Sequence, residues 1–135
     1  MIAHNVPYVA TACPSYPIDF IRKVEKAKKV KGPAFIHVLA VCPTGWRCAS
    51  EKAISMGRLA SETGVFPIYE VVDGKYSLTI KHDKLRPVAD YLKLQGRFRH
   101  LSPDMVKQVQ ERVVQEYNKL LDKVDNLHAW SELKG

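Results

Sequence analysis

Nowhere does the chain hold an apolar run close to the ~18 residues that a membrane helix needs, and no basic segment leading into an apolar one marks its start. The sequence is therefore read as having neither a membrane span nor a secretory signal, with the cytoplasm as its expected location. The usual catalytic fingerprints are missing as well: there is no GxGxxG, no P-loop and no HExxH. The five histidines, His4, His37, His82, His100 and His128, are scattered, and no nucleophile, base and orienter group together. No catalytic residue is assigned. His37 interrupts an apolar run, which points to a hydrogen-bonded core histidine rather than a catalytic one. Cysteine is scarce and odd in number. Cys13, Cys42 and Cys48 show no CxxC and no disulfide-framework spacing, and alone they make no complete metal site.

What is present suits one globular domain of 135 residues, with 46% hydrophobic and 26% charged residues. The net charge of +7 raises nucleic acid as a partner. The densest basic run, Arg22 to Lys31, carries its apolar residues at helical spacing and has no interleaved aromatics to stack bases. It reads as one solvated helix face, able to meet an acidic protein, and a nucleic-acid role is not expected.

The order of elements follows α/β grammar. Val6 to Ala12 reads as a short buried strand, and Pro14 to Pro17 breaks it. A helix is expected over about 18–30, with Phe20, Val24 and Ala27 facing inward. Gly32-Pro33 ends it, and Ala34 to Val41 forms a second, continuously apolar strand. Such strands predict a parallel sheet covered on both faces. Ser50 reads as the N-cap of a helix over 51–63, closed by Gly64, and a third strand is expected over 65–72. Asp73-Gly74 signals a tight hairpin with a return strand over 75–80. A short helix over 85–95 stops at Gly96, and Ser102-Pro103-Asp104 opens a long helix to about 126. Val106, Val109, Val113, Tyr117, Leu120 and Val124 form its apolar stripe. The chain thus divides into an α/β half-domain over 1–80 and a helical tail over 81–135. Three strands with two crossovers are half of a doubly wound, mainly parallel sheet, and the chain reads like the second half of something larger.

The residues with chemical interest follow the second strand. Open α/β sheets bind ligands beyond the C-terminal ends of their strands, and Cys42 falls there. It reads either as a small buried hydrophobe or as a thiolate aimed, with backbone N–H groups, at an iron–sulfur cluster by the tight Pro43-Thr44-Gly45 turn. Trp46 is either core packing or a lid over such a site. Cys13 and Cys48 read as inert packed thiols.

Several blocks occur in one order: Tyr8-Val9-Ala10-Thr11-Ala12, Gly32-Pro33-Ala34-Phe35-Ile36-His37, Cys42-Pro43-Thr44-Gly45-Trp46, Glu62 to Glu70, and Leu85 to Phe98. Together they resemble the C-terminal half of the β subunit of pyruvate:ferredoxin oxidoreductase, in the 2-oxoacid:ferredoxin oxidoreductase family. The match runs from about Ala3 to Leu101, with the last helix only loosely similar. The resemblance implies the C-terminal part of a thiamine-diphosphate-binding fold with a hairpin and helical tail. It also implies oxidative decarboxylation of a 2-oxoacid to an acyl-coenzyme A, with other subunits, ferredoxin and coenzyme A as partners. Thiamine diphosphate, magnesium and a [4Fe–4S] cluster would serve the full enzyme. Cys42 matches one cluster ligand, within a Cys42, Pro43, Thr44, Gly45, Trp46 cofactor-binding block. The family's upstream CxxC and further cysteine, and its Gly-Asp-Gly…Asn magnesium segment, have no counterpart in the sequence. The chain alone is expected to bind no cofactor and to be inactive. The same block favours pyruvate or a branched-chain 2-oxoacid. A non-catalytic module that caps a partner subunit is the alternative.

Overall fold

The computed structural model describes residues 1–132, with side chains to Asp125. A sheet in the order β2-β1-β3-β4 organises the chain: β1 (Tyr8–Ala12), β2 (Ala34–Val38), β3 (Tyr69–Val72) and β4 (Lys75–Leu78). Helix α1 (Pro17–Lys29) connects β1 to β2, a one-turn helix α2 (Pro43–Trp46) follows β2, and α3 (Ala53–Glu62) leads toward β3. Two more helices, α4 (Val88–Leu92) and α5 (Pro103–Glu132), complete the chain. No helix among the described residues is long and apolar enough to cross a membrane.

The architecture is α/β with a mixed sheet, which corrects the expected mainly parallel arrangement. Only β1 and β2 are parallel, in register from Tyr8 opposite Ala34 to Ala12 opposite Val38. β3 runs antiparallel to β1, and β4 antiparallel to β3. The reason lies between α3 and β3. Val65 and Phe66 pack against the helical core instead of entering the ladder, and the Phe66 N–H donates to Ala60 O at 2.8 Å. Pro67 has no N–H to give a ladder. Thr11 Oγ1 donates to Pro67 O at 2.7 Å and accepts from the Tyr69 N–H at 3.0 Å, so the strand starts at Tyr69 and not at 65. The hairpin is as expected: Asp73 and Gly74 have φ of +48° and +80°, the double left-handed turn that suits an Asp-Gly pair.

β1 is buried at all five positions and forms the centre of the sheet. β2 is not: four of its five residues are exposed and one is half-buried. The expectation of a second strand covered on both faces therefore fails, because β2 is the edge of the sheet. The inward stripe of α1 differs too. Val24 is exposed, and Lys23 takes the inward slot between the half-buried Phe20 and Ala27. Its ammonium donates to Thr11 O at 2.8 Å, Asp19 Oδ2 at 2.7 Å and Thr79 Oγ1 at 2.7 Å. The basic run is thus not wholly a solvated face. Nearby, Glu70 is buried, accepts from the Tyr8 hydroxyl at 2.9 Å and pairs with Lys26.

The second core lies among the helices. Met56, Leu59 and Ala60 of α3 pack with Val88, Tyr91 and Leu92 of α4, and Val106, Val109 and Val113 of α5 lie against them. α5 therefore uses its apolar stripe within this chain, against α4 and β4. Ser102 caps it, accepting from the Met105 N–H at 3.3 Å. Ser50 does not cap α3: a short 3-10 turn over Ser50–Lys52 intervenes.

Two predictions arise from these contacts. Replacing Lys23 by Met leaves the Asp19 carboxylate, largely buried, and the Thr11 carbonyl without their cation, and should destabilise the chain by about 3 kcal/mol in urea unfolding. Burial raises the phenolic pKa of Tyr8, Tyr16, Tyr69, Tyr91 and Tyr117 above the ordinary value of 10.0. The unfolded chain then loses these protons first, so stability should fall as pH rises above about 10. Tyrosinate absorbance from these five residues should appear together with unfolding rather than before it.

Candidate functional site

The loop after β2 delivers Cys42 to the surface. Cys42 has extended backbone and caps α2: its Sγ accepts from the Gly45 N–H at 3.4 Å, and the Trp46 N–H donates to Cys42 O at 2.9 Å. Pro43 at the first helical position gives up an N–H that the turn does not use. In this chain the thiol is exposed rather than buried. Gly45 lies close under the thiol: a Cβ there would sit 3.3 Å from Cys42 Sγ, which would have to shift by a few tenths of an ångström.

Trp46 is partly buried against the helical core, which makes it a packing residue that anchors the turn. Its ring meets Tyr91 edge-on at 6.3 Å, and the Arg97 guanidinium lies 4.2 Å from its centroid. Arg97 is itself held. Its Nε donates to Gln95 Oε1 at 2.9 Å, and the buried Gln95 donates through Nε2 to Tyr91 O at 2.9 Å. Arg97 also faces the Phe98 ring at 4.7 Å. The backbone closes the arrangement, with the Gly96 N–H donating to Arg47 O at 3.1 Å. Arg47 ends α2 with a left-handed φ of +54°. The Cys42–Trp46 block and the Gln95–Phe98 block, far apart in sequence, thus form one clamped unit.

The other cysteines are elsewhere in role. Cys13 is buried beneath α3, where a Cβ added at Gly57 would come within 2.9 Å of its Sγ. Cys48 is half-buried and packs against the helical core. Among the described residues no three His, Cys, Asp or Glu side chains gather closely enough to hold a metal ion. A [4Fe–4S] cluster takes four protein ligands, and the described residues offer one exposed thiol. That donor set fits a single ligand and not a whole site. His37 is exposed on β2 and packs edge-on to Phe66 at 5.2 Å, with no side-chain hydrogen bond among the described residues.

Sequence reasoning missed two features. One is the support of Trp46 by Gln95, Gly96 and Arg97, whose only signal was a compact Gln-Gly-Arg-Phe string at a helix end. The other is a cavity of about 660 Å³ beside α1, lined by Arg22, Lys23, Lys26, Arg58, Asp19 and Glu70 among others. Its acids are already met by Lys23 and Lys26.

The clamp is testable at Gly96. A Cβ there would sit 2.8 Å from Arg47 Cβ and 3.0 Å from Arg47 O, so Gly96→Ala must push the two blocks apart. Overpacking of this kind costs about 1–3 kcal/mol. The variant should lose that stability and shift Trp46 fluorescence toward the solvent-exposed value, while Gly74→Ala, which meets nothing within 4 Å, should leave the Trp46 signal unchanged.

No protein-family model matches the chain. Individual relatives do. The pyruvate synthase subunit PorB of Methanocaldococcus jannaschii is 52% identical over 121 residues, which is 90% of this chain and 40% of that protein. The ketoisovalerate oxidoreductase subunit VorB of Pyrococcus horikoshii is 45% identical over 122 residues, 89% of this chain and 39% of its own length. The pyruvate synthase subunit PorB of Methanothermobacter marburgensis is 48% identical over 113 residues, again 39% of that protein. This chain spans about two-fifths of the length of the curated relatives it matches. Over most of its length the chain is thus homologous to a C-terminal portion of the PorB and VorB β subunits of 2-oxoacid:ferredoxin oxidoreductase.

Proposed function

We propose that this chain contributes the C-terminal portion of a β subunit to an enzyme that oxidatively decarboxylates a 2-oxoacid, pyruvate or a branched-chain one, to its coenzyme A ester. The observation that carries the reading is Cys42: an exposed thiol at the C-terminal side of a parallel strand, on a clamped turn, in a chain related to PorB and VorB. Its role is to supply one thiolate ligand to a [4Fe–4S] cluster, with the other ligands from outside the described residues. A cluster held there would supply an electron relay between oxidation of the 2-oxoacid and ferredoxin. Thiamine diphosphate and its magnesium ion are held by other parts of the assembly.

Pro43, Thr44, Gly45 and Trp46 belong to the same cofactor-binding block. The Gly45 N–H that reaches Cys42 Sγ would give a hydrogen bond to the ligating sulfur, of the kind that tunes a cluster. Arg97, stacked on Trp46, keeps the turn from unwinding and adds a positive charge near it. On this reading the mixed sheet within residues 1–80 is one part of a larger thiamine-diphosphate-type domain, and the helices that follow brace the cluster turn. The isolated chain should be inactive.

Replacing Cys42 by Ala in the assembled enzyme tests the assignment. It should remove most of the iron bound beside the thiamine and reduce 2-oxoacid-dependent ferredoxin reduction by at least tenfold. Since Cys42 is exposed, the fold of the chain should survive, which circular dichroism can check. Unchanged iron content and unchanged electron transfer would overturn the assignment.

A further inference from the structure

One face of α1 carries Asp19, Arg22, Lys23 and Lys26, spaced three and four residues apart as a helix face requires. All four line the cavity of about 660 Å³, together with Arg58 of α3 and Glu70 of β3. No residue of the Cys42–Trp46 block lines it. The charges in this wall do not balance. Four cations face two acids, and both acids are already engaged, Asp19 by Lys23 at 2.7 Å and Glu70 by Lys26. Lys23 has no donor to spare, because its ammonium serves Thr11 O, Asp19 Oδ2 and Thr79 Oγ1. Arg22 and Arg58 are left over. Both are exposed, and among the described residues neither makes an ion pair or a side-chain hydrogen bond. Arg22 also stands one turn from Lys26, a like-charge placement that weakens a helix unless an anion joins it.

Two further features of the same cavity bear on what fits it. Pro17, Ile18 and Asp19 form the first turn of α1, and Tyr16 at the N-cap gives the N–H groups there no side-chain partner. The start of a 13-residue helix adds its own attraction for negative charge. The remaining wall includes Pro17, Ile18 and Ile80, and Ile18 is 66% exposed. A bare anion would leave that apolar wall uncovered, and the volume lies in the range of about 300–1,000 Å³ typical of small-molecule sites. We infer that this cavity binds a phosphate ester with an apolar body, its phosphate held by Arg22 and Arg58 and its body against Pro17, Ile18 and Ile80. A surplus of two positive charges matches a phosphate monoester, which carries about −1.5 to −2 at neutral pH. A carboxylate would neutralise only one of them. Guanidinium groups suit phosphate oxygens because they donate two parallel hydrogen bonds. The inference goes beyond the role proposed for Cys42 and does not depend on it.

The test uses the assembly isolated from its source cells, with phenyl phosphate as the probe. Phenylglyoxal modifies arginine, and peptide mass spectrometry reads the rate at each position. Millimolar phenyl phosphate should slow modification of Arg22 and Arg58 at least fivefold and leave that of Arg112, exposed on α5, unchanged. Inorganic phosphate at the same concentration should protect them less than twofold, because it leaves the apolar wall unused. Absence of protection by phenyl phosphate, or equal protection by inorganic phosphate, would overturn the inference. So would Arg22 and Arg58 that are unreactive before any probe is added, since an acidic partner surface would then fill the cavity. A double variant, Arg22→Gln with Arg58→Gln, should raise the Kd for phenyl phosphate at least tenfold in equilibrium dialysis. Its circular dichroism should not change, because neither side chain is bonded to another. Unchanged affinity would also overturn the inference.

Discussion

An apolar strand with open backbone on one side and little cover on either face is the constraint from which the rest of this structure can be understood. β2 has the composition of an interior strand, yet it lies at the sheet edge with β1 as its only neighbour. Burying apolar surface is the main favourable term in folding, and an unpaired edge is a standing template for another strand. The same strand runs directly into Cys42. Whatever completes the sheet at β2 therefore bears on the environment of the one exposed thiol among the described residues.

The thiol is placed by contacts from the far end of the chain. Trp46 is fixed between Tyr91 and Arg97, Arg97 is fixed by Gln95, and Gly96 bonds the backbone of Arg47. Each contact is modest: a cation over an aromatic ring contributes about 0.5–1 kcal/mol at a partly exposed site. Together they convert a four-residue helix, too short to persist alone, into a defined platform. The α3–α4–α5 core beneath it gives that platform a rigid base. In this account the helical tail serves the chemistry indirectly, by holding the turn that presents Cys42.

Much of this was legible in the sequence because the signals were local. Asp73-Gly74 specifies its turn, Ser102-Pro103 starts α5, and the stripe from Val106 to Val124 marks the packed face of that helix. Long-range outcomes were less legible. The direction of β3 depends on Thr11 bonding across to Pro67 and Tyr69, which no pattern within 65–72 announces. Lys23 looked like one lysine among many, and only the arrival of Thr79 and Asp19 on its ammonium makes it a buried cation. β2 looked like a core strand because its residues are those of a core strand. Among the described residues it has a neighbour on one side only, which no pattern within the strand announces. Likewise, Cys42 could be singled out by its place after a strand, but the support from Gln95, Gly96 and Arg97 depends on tertiary contact.

The central claim is that this chain works as one portion of a cofactor-bearing β subunit. Native mass spectrometry of the chain as isolated from its source cells, with iron, sulfide and thiamine diphosphate measured on the same sample, tests it most directly. The account predicts a species well above 15.3 kDa that carries all three. A monodisperse 15.3 kDa species free of iron and thiamine diphosphate would contradict it.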